Sequence, residues 1–342
     1  MKHLVYVGTN SVRGSKGIYT LTLDDTSGEM SIITATEAEN SAYMCLSSNR
    51  KYLYSVIESL QYDGVPGGGV ASFTINNGIP VLNNKRYAWG GWPCHICFDR
   101  IEANIMVSVF RNCTWVVYPL GKDGSIQPEI FKKVHSDPNG RPSRIHASIP
   151  SPDNSFAFVA DCGLDCVYIY SIQTAHLIAT IRLPDCCGPR QMVFSPQLNH
   201  LYLLTEASCE LMTFCYNPLS ADILQLIDTK TIKRIDGYEG PNYGGGLHFD
   251  PSFNFLLATN RGHNSIAVFQ IDQKSGIPYL INHKMLAGDH CREFAFTPDG
   301  RIIVAGLQHT DIVQSFWFDA NNGTIKETGY TLDIPSPSSI II

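Results

Sequence analysis

Charge is scarce in this sequence. Asp, Glu, Lys and Arg supply 16% of its 342 residues, against roughly 25% in an average soluble protein. That shortage argues against a fold of surface helices, whose solvated faces need such residues. The net charge is −6, and no basic run is interleaved with aromatics. Neither nucleic acid nor an anionic membrane is therefore an expected partner. No apolar stretch approaches the roughly 18 residues of a spanning helix. The opening MKHLVYVGTN has neither the long apolar core nor the small-residue cleavage site of a secretory signal, so the expected compartment is the cytoplasm.

Several catalytic signatures are missing too. There is no Gly-x-Ser-x-Gly elbow, so a serine nucleophile is not indicated. The glycine runs Gly67-Gly68-Gly69 and Gly244-Gly245-Gly246 lack the lysine and following helix of a phosphate-binding loop. Cys94-His95-Ile96-Cys97 stands without a second cysteine pair, and residues three apart on a strand face opposite sides. Packing thiols are expected there rather than zinc, and neither a metal nor a cofactor is expected anywhere. The 11 cysteines are odd in number in a long chain and read as reduced, buried thiols.

What is abundant is turn-forming and strand-forming. The chain holds 28 Gly, 19 Pro, 16 Phe and 16 Tyr, a composition suited to many short buried strands. A repeat organises them: a short apolar strand, a polar turn often written Ser-Pro or Asp-Pro, then a longer apolar strand. It recurs as CLSSNRKYLYSV, CFDRIEANIMVSV, SIPSPDNSFAFVA, VFSPQLNHLYLL, HFDPSFNFLLAT and AFTPDGRIIVAG. Anchored on Ser47, Asp99, Ser151, Ser195, Asp250 and Thr297, the spacings are 52, 52, 44, 55 and 47 residues. A period near fifty predicts a β-propeller with four strands per blade. Third strands follow (GGVASFTI, CTWVVYPL, DCVYIYSI, CELMTFCY, NSIAVFQI, DIVQSFWF), several of them ending in glycine hairpins at Gly28, Gly78, Gly124, Gly276 and Gly323.

The termini complete the ring. KHLVYVGTN and KGIYTLTL read as second and third strands whose first strand is missing, and SPSSIII at the other end supplies it. The expected fold is all-β: a single seven-bladed β-propeller over residues 1–342. Its last blade is closed by the N- and C-terminal strands, with the C-terminal strand innermost.

The repeat also predicts which residues share a rim. The residues before the first strand and after the second of each blade are neighbours at one mouth of the central channel. Eleven residues beyond the anchors lie Glu58, Phe110, Cys162 (or Asp161), Glu206, Arg261 and Gln308. Four or five residues back lie His95, His146, Arg190, Gly246 and Glu293, with Tyr43 in the first blade. His146, Arg190, Glu206 and Arg261 come from three consecutive blades and face one quadrant. Such a set binds an anion and moves a proton.

The chain resembles the lactonase family of seven-bladed propellers, which includes bacterial 6-phosphogluconolactonases and fungal carboxymuconate lactonizing enzymes. The stretches that carry the resemblance are YVGTN, GGVASF, GWPCH, DCGLDCVYIY, GPRQMVFSP, NRGHNSIAVFQID, REFAFTPDGR and IPSP. It implies a catalytic set of His146 in RIHAS, Arg190 in GPRQ, Glu206 in TEAS and Arg261 in NRGH, the residues that the repeat had pooled. It implies hydrolysis of a sugar lactone, foremost 6-phosphogluconolactone, as in the oxidative pentose phosphate pathway. A lactonizing reaction on the same constellation is the alternative. A non-catalytic scaffold is a third reading, although no Trp-Asp dipeptide marks the blades. Around the four residues the chain departs from the family. Arg144 stands for a histidine, Gln191 for another, Gly246 for an acidic residue, Gly306-Leu307-Gln308 for Ala-Asn-Gln and Val109-Phe110 for Asn-Tyr.

Hydrolysis needs a base for water, for which Glu206 and His146 are the candidates, and cations for the oxyanion, Arg190 and Arg261. The expected partner is a small anionic lactone. Arg144, His263, Arg292, His309 and His95 are candidate substrate-binding residues, the first because it brings a permanent charge.

Overall fold

A computed structural model describes residues 1–233 and 237–342, and every regular element among them is a strand. They form seven four-stranded antiparallel sheets whose inner strands neighbour one another in a closed ring. In chain order the inner strands are Met44–Leu46, Pro93–Phe98, Ile145–Pro150, Pro189–Phe194, Tyr243–Phe249, Cys291–Phe296 and Pro337–Ile341, which open blades 1 to 7. Blade 7 is assembled from both ends of the chain. Pro337–Ile341 pairs with Lys2–Thr9, which pairs with Gly17–Asp24, which pairs with Met30–Glu37. A small extra hairpin, Gln61–Tyr62 with Val65–Pro66, stands above blade 1.

The anchor residue of the repeat is buried in all six blades that carry it. Its side-chain oxygen accepts the backbone N–H five residues on, which opens the second strand. The distances are 3.0 Å from Tyr52 to Ser47, 3.2 Å from Asn104 to Asp99 and 3.0 Å from Phe156 to Ser151. Phe255 to Asp250 and Ile302 to Thr297 follow at 2.7 and 3.0 Å. Ser195 instead caps Leu198 at 3.1 Å. A polar residue is required here because a buried N–H left without an acceptor is costly. The five hairpin glycines have φ between 72° and 83°, where a side chain is strained.

There is no single core. Seven apolar clusters among the described residues each lie between two adjacent blades. Phe158, Leu201, Leu203 and Phe214, for instance, join blades 3 and 4. Removing one such ring or leucine costs about 2–5 kcal/mol. The blades are also latched. A tyrosine in a second strand donates to the hairpin glycine carbonyl of the next blade: Tyr6 to Gly78 at 3.0 Å, Tyr54 to Gly124 at 2.9 Å and Tyr202 to Gly276 at 2.7 Å. Ser315 reaches Gly28 at 2.7 Å, so the two-ended blade is held on both sides.

Candidate active site

One local irregularity aims the rim residues. Near its start, each inner strand except blade 1's bulges against the second strand. Ile145 pairs with Asp161 and Ala147 with Ala160, which leaves His146 without a partner in the ladder. Arg190 is skipped in the same way between Pro189 and Gln191, and Arg292 between Cys291 and Glu293. Cys94 holds the position in blade 2 and Ser338 in blade 7. In blade 5 the bulge holds Gly245 and Gly246. A bulge bends its strand and re-aims the extra side chain. It also corrects the count back from the anchors: in blades 2 and 6 the skipped residues are Cys94 and Arg292, not His95 and Glu293.

The second strands bring the partners. Glu206 directly follows His200–Thr205, and Arg261 ends Phe255–Arg261. One carboxylate oxygen, Oε2 of Glu206, accepts from Arg190 Nε at 3.0 Å and Arg261 Nη2 at 3.2 Å, with His146 Nε2 at 3.8 Å. The four residues that the repeat and the resemblance singled out thus meet at a single atom. The glycine run in blade 5 fixes both guanidinium groups. The Gly245 carbonyl accepts from Arg190 Nη1 at 2.6 Å, and the Gly244 carbonyl accepts from Arg261 Nη2 at 2.6 Å. A Cβ on Gly245 would stand 2.2 Å from Thr259 Oγ1, and one on Gly246 2.4 Å from Glu293 Oε1. The run is therefore part of the site's scaffold through its carbonyls, a role not read from the sequence, which treats the run as a failed phosphate loop and Gly246 as a rim position.

Exposure divides the four. Glu206 keeps 29% of its side chain open, whereas Arg190 keeps 3% and His146 7%. Burial raises the Glu206 carboxyl, but Arg190 and Arg261 together outweigh it and hold the group below its ordinary value, ionised at neutral pH. Burial, then Arg190, Arg292 and Arg261, push His146 far down, so its ring is neutral. Burial and Arg190 push Arg261 down to about 9, against the pull of Glu206, and it keeps its charge at neutral pH. Cys162, beside Glu206 on the rim, is raised to about 12 by burial first and Glu206 second. It is a thiol, not a thiolate nucleophile.

The remaining candidates are spread unevenly. Arg292 reaches across the channel to Glu58, 3.1 Å away, and acts electrostatically on both His146 and Arg261. Arg144 lies over the ring of Phe110, which meets His146 edge-on with centroids 6.1 Å apart. His95 is buried, its ring against Tyr43 at 4.6 Å. Burial takes it down to about 3 and leaves it neutral. His309 is exposed, 3.2 Å from Asp289, and stacks on His290 at 4.0 Å. His263 is not brought to the cluster. Its Nδ1 bonds Ser265 at 2.8 Å and its ring packs on Tyr238, because the turn around Gly262 directs it away from Arg261. Gly262 itself is obligatory: its φ is 119°, and a Cβ would lie 1.9 Å from the Pro241 carbonyl oxygen.

Sequence reasoning missed His290. Its Nε2 stands 3.5 Å from Arg261 Nη1, and burial followed by Arg261 takes it down to about 3. It belongs to a loop outside the repeat, where no count could find it. No group of His, Cys, Asp and Glu able to hold a metal ion is found among the described residues.

Fold and rim together define a seven-bladed β-propeller that gathers one carboxylate, two guanidinium groups and a neutral imidazole at one mouth of its channel. A sequence model of the seven-bladed β-propeller lactonases matches residues 4–342, and the chain belongs to that family. It is 28% identical to a 6-phosphogluconolactonase of Bacillus subtilis over 345 residues, covering 98% of this chain and 97% of that one. It is 29% identical to a 6-phosphogluconolactonase of Formosa agariphila, covering 95% and 94%. Its fold matches the periplasmic gluconolactonase of Pseudomonas aeruginosa with a TM-score of 0.92 at 24% identity, over 100% of this chain and 99% of that one.

Proposed function

We propose that this chain hydrolyses a sugar lactone, 6-phosphogluconolactone, to the open acid. The observation that carries the reading is the Glu206 carboxylate shared by Arg190 and Arg261 at the rim of a lactonase-family propeller. Relatives named 6-phosphogluconolactonase over nearly the whole chain support the substrate. The compartment belongs to the same proposal: all eleven cysteines are free thiols, which fits the cytoplasm.

Glu206 is the base, because it is the open member of the set while His146 is enclosed by it. Its carboxylate takes a proton from water as the water oxygen bonds to the lactone carbonyl carbon. The carbonyl electron pair moves to oxygen, where Arg190 and Arg261 meet the new charge. Collapse breaks the bond to the ring oxygen, which takes the proton back from Glu206. Neutral His146 adds no charge to the arginine cluster and lines the carboxylate's third side at 3.8 Å.

The test is opening of freshly generated 6-phosphogluconolactone, corrected for its spontaneous rate. The wild type should accelerate it, and Glu206→Gln should lower kcat by about 10²–10⁴. The rate should rise with pH through the ionisation of Glu206, below the ordinary carboxylate range, stay flat through neutrality, and fall again as Arg261 loses its charge at about 9. His146 holds no proton to lose near pH 6.5. An inflection near that pH would move the base to the histidine. No acceleration of this lactone, with turnover of an unphosphorylated one, would overturn the substrate.

A further inference from the structure

We propose that Arg144, carried on the face of Phe110, is the subsite that grips the phosphate of the substrate; this rests on the reading of the site as one for a phosphorylated lactone. A phosphate needs a cation near the reacting centre whose donors are not already spent. The rim arginines differ in this respect. Arg190 and Arg261 are held by Glu206 and by the carbonyls of Gly245 and Gly244, and their remaining N–H groups are committed to the proposed oxyanion. Arg292 is tied to Glu58 and Arg13 to Asp311. At the blade 6 corner, His309 is paired with Asp289, a carboxylate that repels phosphate. Arg144 is held differently. Its backbone N–H donates to Asp161 at 2.8 Å, while its guanidinium lies 5.5 Å over the Phe110 ring and meets no carboxylate or other acceptor among the described residues.

A ring face steadies a guanidinium without consuming its N–H groups, so the planar fork stays available for two phosphate oxygens. The position also fits. Phe110 meets His146 edge-on, and Arg144, Arg190 and Glu206 all act on the same Cys162. The guanidinium thus stands one ring away from His146, and it shares Cys162 as a neighbour with Glu206. Arg111 is a built-in control. It too is carried by a ring, Trp92 at 4.3 Å, but that ring meets Phe110 at 6.5 Å and makes no ring contact with His146 among the described residues.

The experiment is calorimetric binding of 6-phosphogluconate and of gluconate to the intact protein, which requires no turnover. The wild type should prefer the phosphorylated acid by about 10-fold or more. Arg144→Ala and Arg144→Gln should bring the ratio of affinities near one and leave gluconate unchanged. Phe110→Ala should give an intermediate ratio, Phe110→Tyr should restore it, and Arg111→Ala should match the wild type. In turnover, Arg144→Ala should raise KM for the phosphorylated lactone and spare kcat. A wild type without preference, an Arg144→Ala protein that keeps it, or equal loss for both ligands would overturn the subsite. The activity fails separately: a wild type that discriminates the acids but does not open the lactone would refute the hydrolase and leave the subsite standing.

Discussion

Blades 3 to 6 and blades 1 to 2 line one rim from corresponding strand ends, blade 1 alone lacking the bulge, and fill those ends with different chemistry. At the inner-strand bulge, blades 3, 4 and 6 carry His146, Arg190 and Arg292, whereas blade 2 carries Cys94. After the second strand, blades 4 and 5 carry Glu206 and Arg261, whereas blade 2 carries Phe110, flanked by Trp92. Both arcs are built by the same anchors and hairpins. The fold therefore supplies addresses, and each blade's side chain decides what happens there. One arc gathers Glu206, His146 and three arginines; the other sets Glu58 and His95 among the rings of Tyr43, Trp92 and Phe110, the last two of which carry cations on their faces.

Equivalent substitutions in the two arcs should have unequal effects, and the largest difference is expected at the bulge. Arg190→Ala removes a proposed oxyanion donor and one of two cations on Glu206, and should lower kcat/KM by about 10²–10³. Cys94→Ala, at the matching position, loses a thiol bonded to the carbonyl of His146 at 3.2 Å. As a near-isosteric change it should stay within about 3-fold of wild type in steady-state turnover. Equal losses would mean that the bulge matters as backbone and not as a way to aim side chains.

Acid should act on both arcs through histidines. His146 and His290 in the charged arc and His95 and His135 in the other all have folded values below the usual 6.5, with burial the largest cause in each. A depressed folded value means stability that is complete above pH 6.5 and is lost as pH falls, because the unfolded chain takes protons that the folded one refuses. Each such histidine contributes up to about 1.4 kcal/mol per pH unit in that window. His248, raised by Glu293 against its own burial, works in the opposite direction. The melting temperature should fall between pH 7 and pH 5, before most carboxylates titrate, and His95→Gln should flatten the slope. A pH-independent melting temperature over that range would contradict the buried neutral state.

How far the sequence could be read follows from which features the repeat obliges. The anchors were legible because each must accept the N–H that opens a buried strand, and only a short polar side chain does that at Ser47, Asp99 or Thr297. Glu206 and Arg261 were legible because the second strands run nearly equal lengths from those anchors. The count failed where the chain departs from a regular ladder. The bulge shifted blades 2 and 6 by one residue, and the glycine run of blade 5 serves through its carbonyls, which no side-chain pattern reports. His263 looked like a rim residue beside Arg261, but the positive φ of Gly262 and Asn264 turns it out of the cluster. Neither His290 nor the cradling of Arg144 on Phe110 can be read from periodicity, since each depends on loops from two blades meeting.

The blade latches give the smallest contrast, and the two arcs should differ there as well. Tyr54 and Tyr202 make the same bond to the next blade's hairpin glycine, at 2.9 and 2.7 Å. Their acceptors are not equivalent. The Gly124 carbonyl also accepts from Ser72 at 2.6 Å, so Tyr54→Phe removes one of its two bonds and should cost about 0.5–1.5 kcal/mol. The Gly276 carbonyl has no second donor among the described residues. Tyr202→Phe strands it and should cost more, about 1–3 kcal/mol. Tyr202 also sits at the seam between blades 4 and 5, where Glu206 of one blade meets Arg261 of the other. Denaturant unfolding should rank Tyr202→Phe below Tyr54→Phe in stability, and turnover should drop slightly in the former alone. Identical stabilities would show that the latch energy resides in the packed rings and not in the hydrogen bond. Lost turnover in both would show that the site senses the closure of the whole ring rather than its own seam.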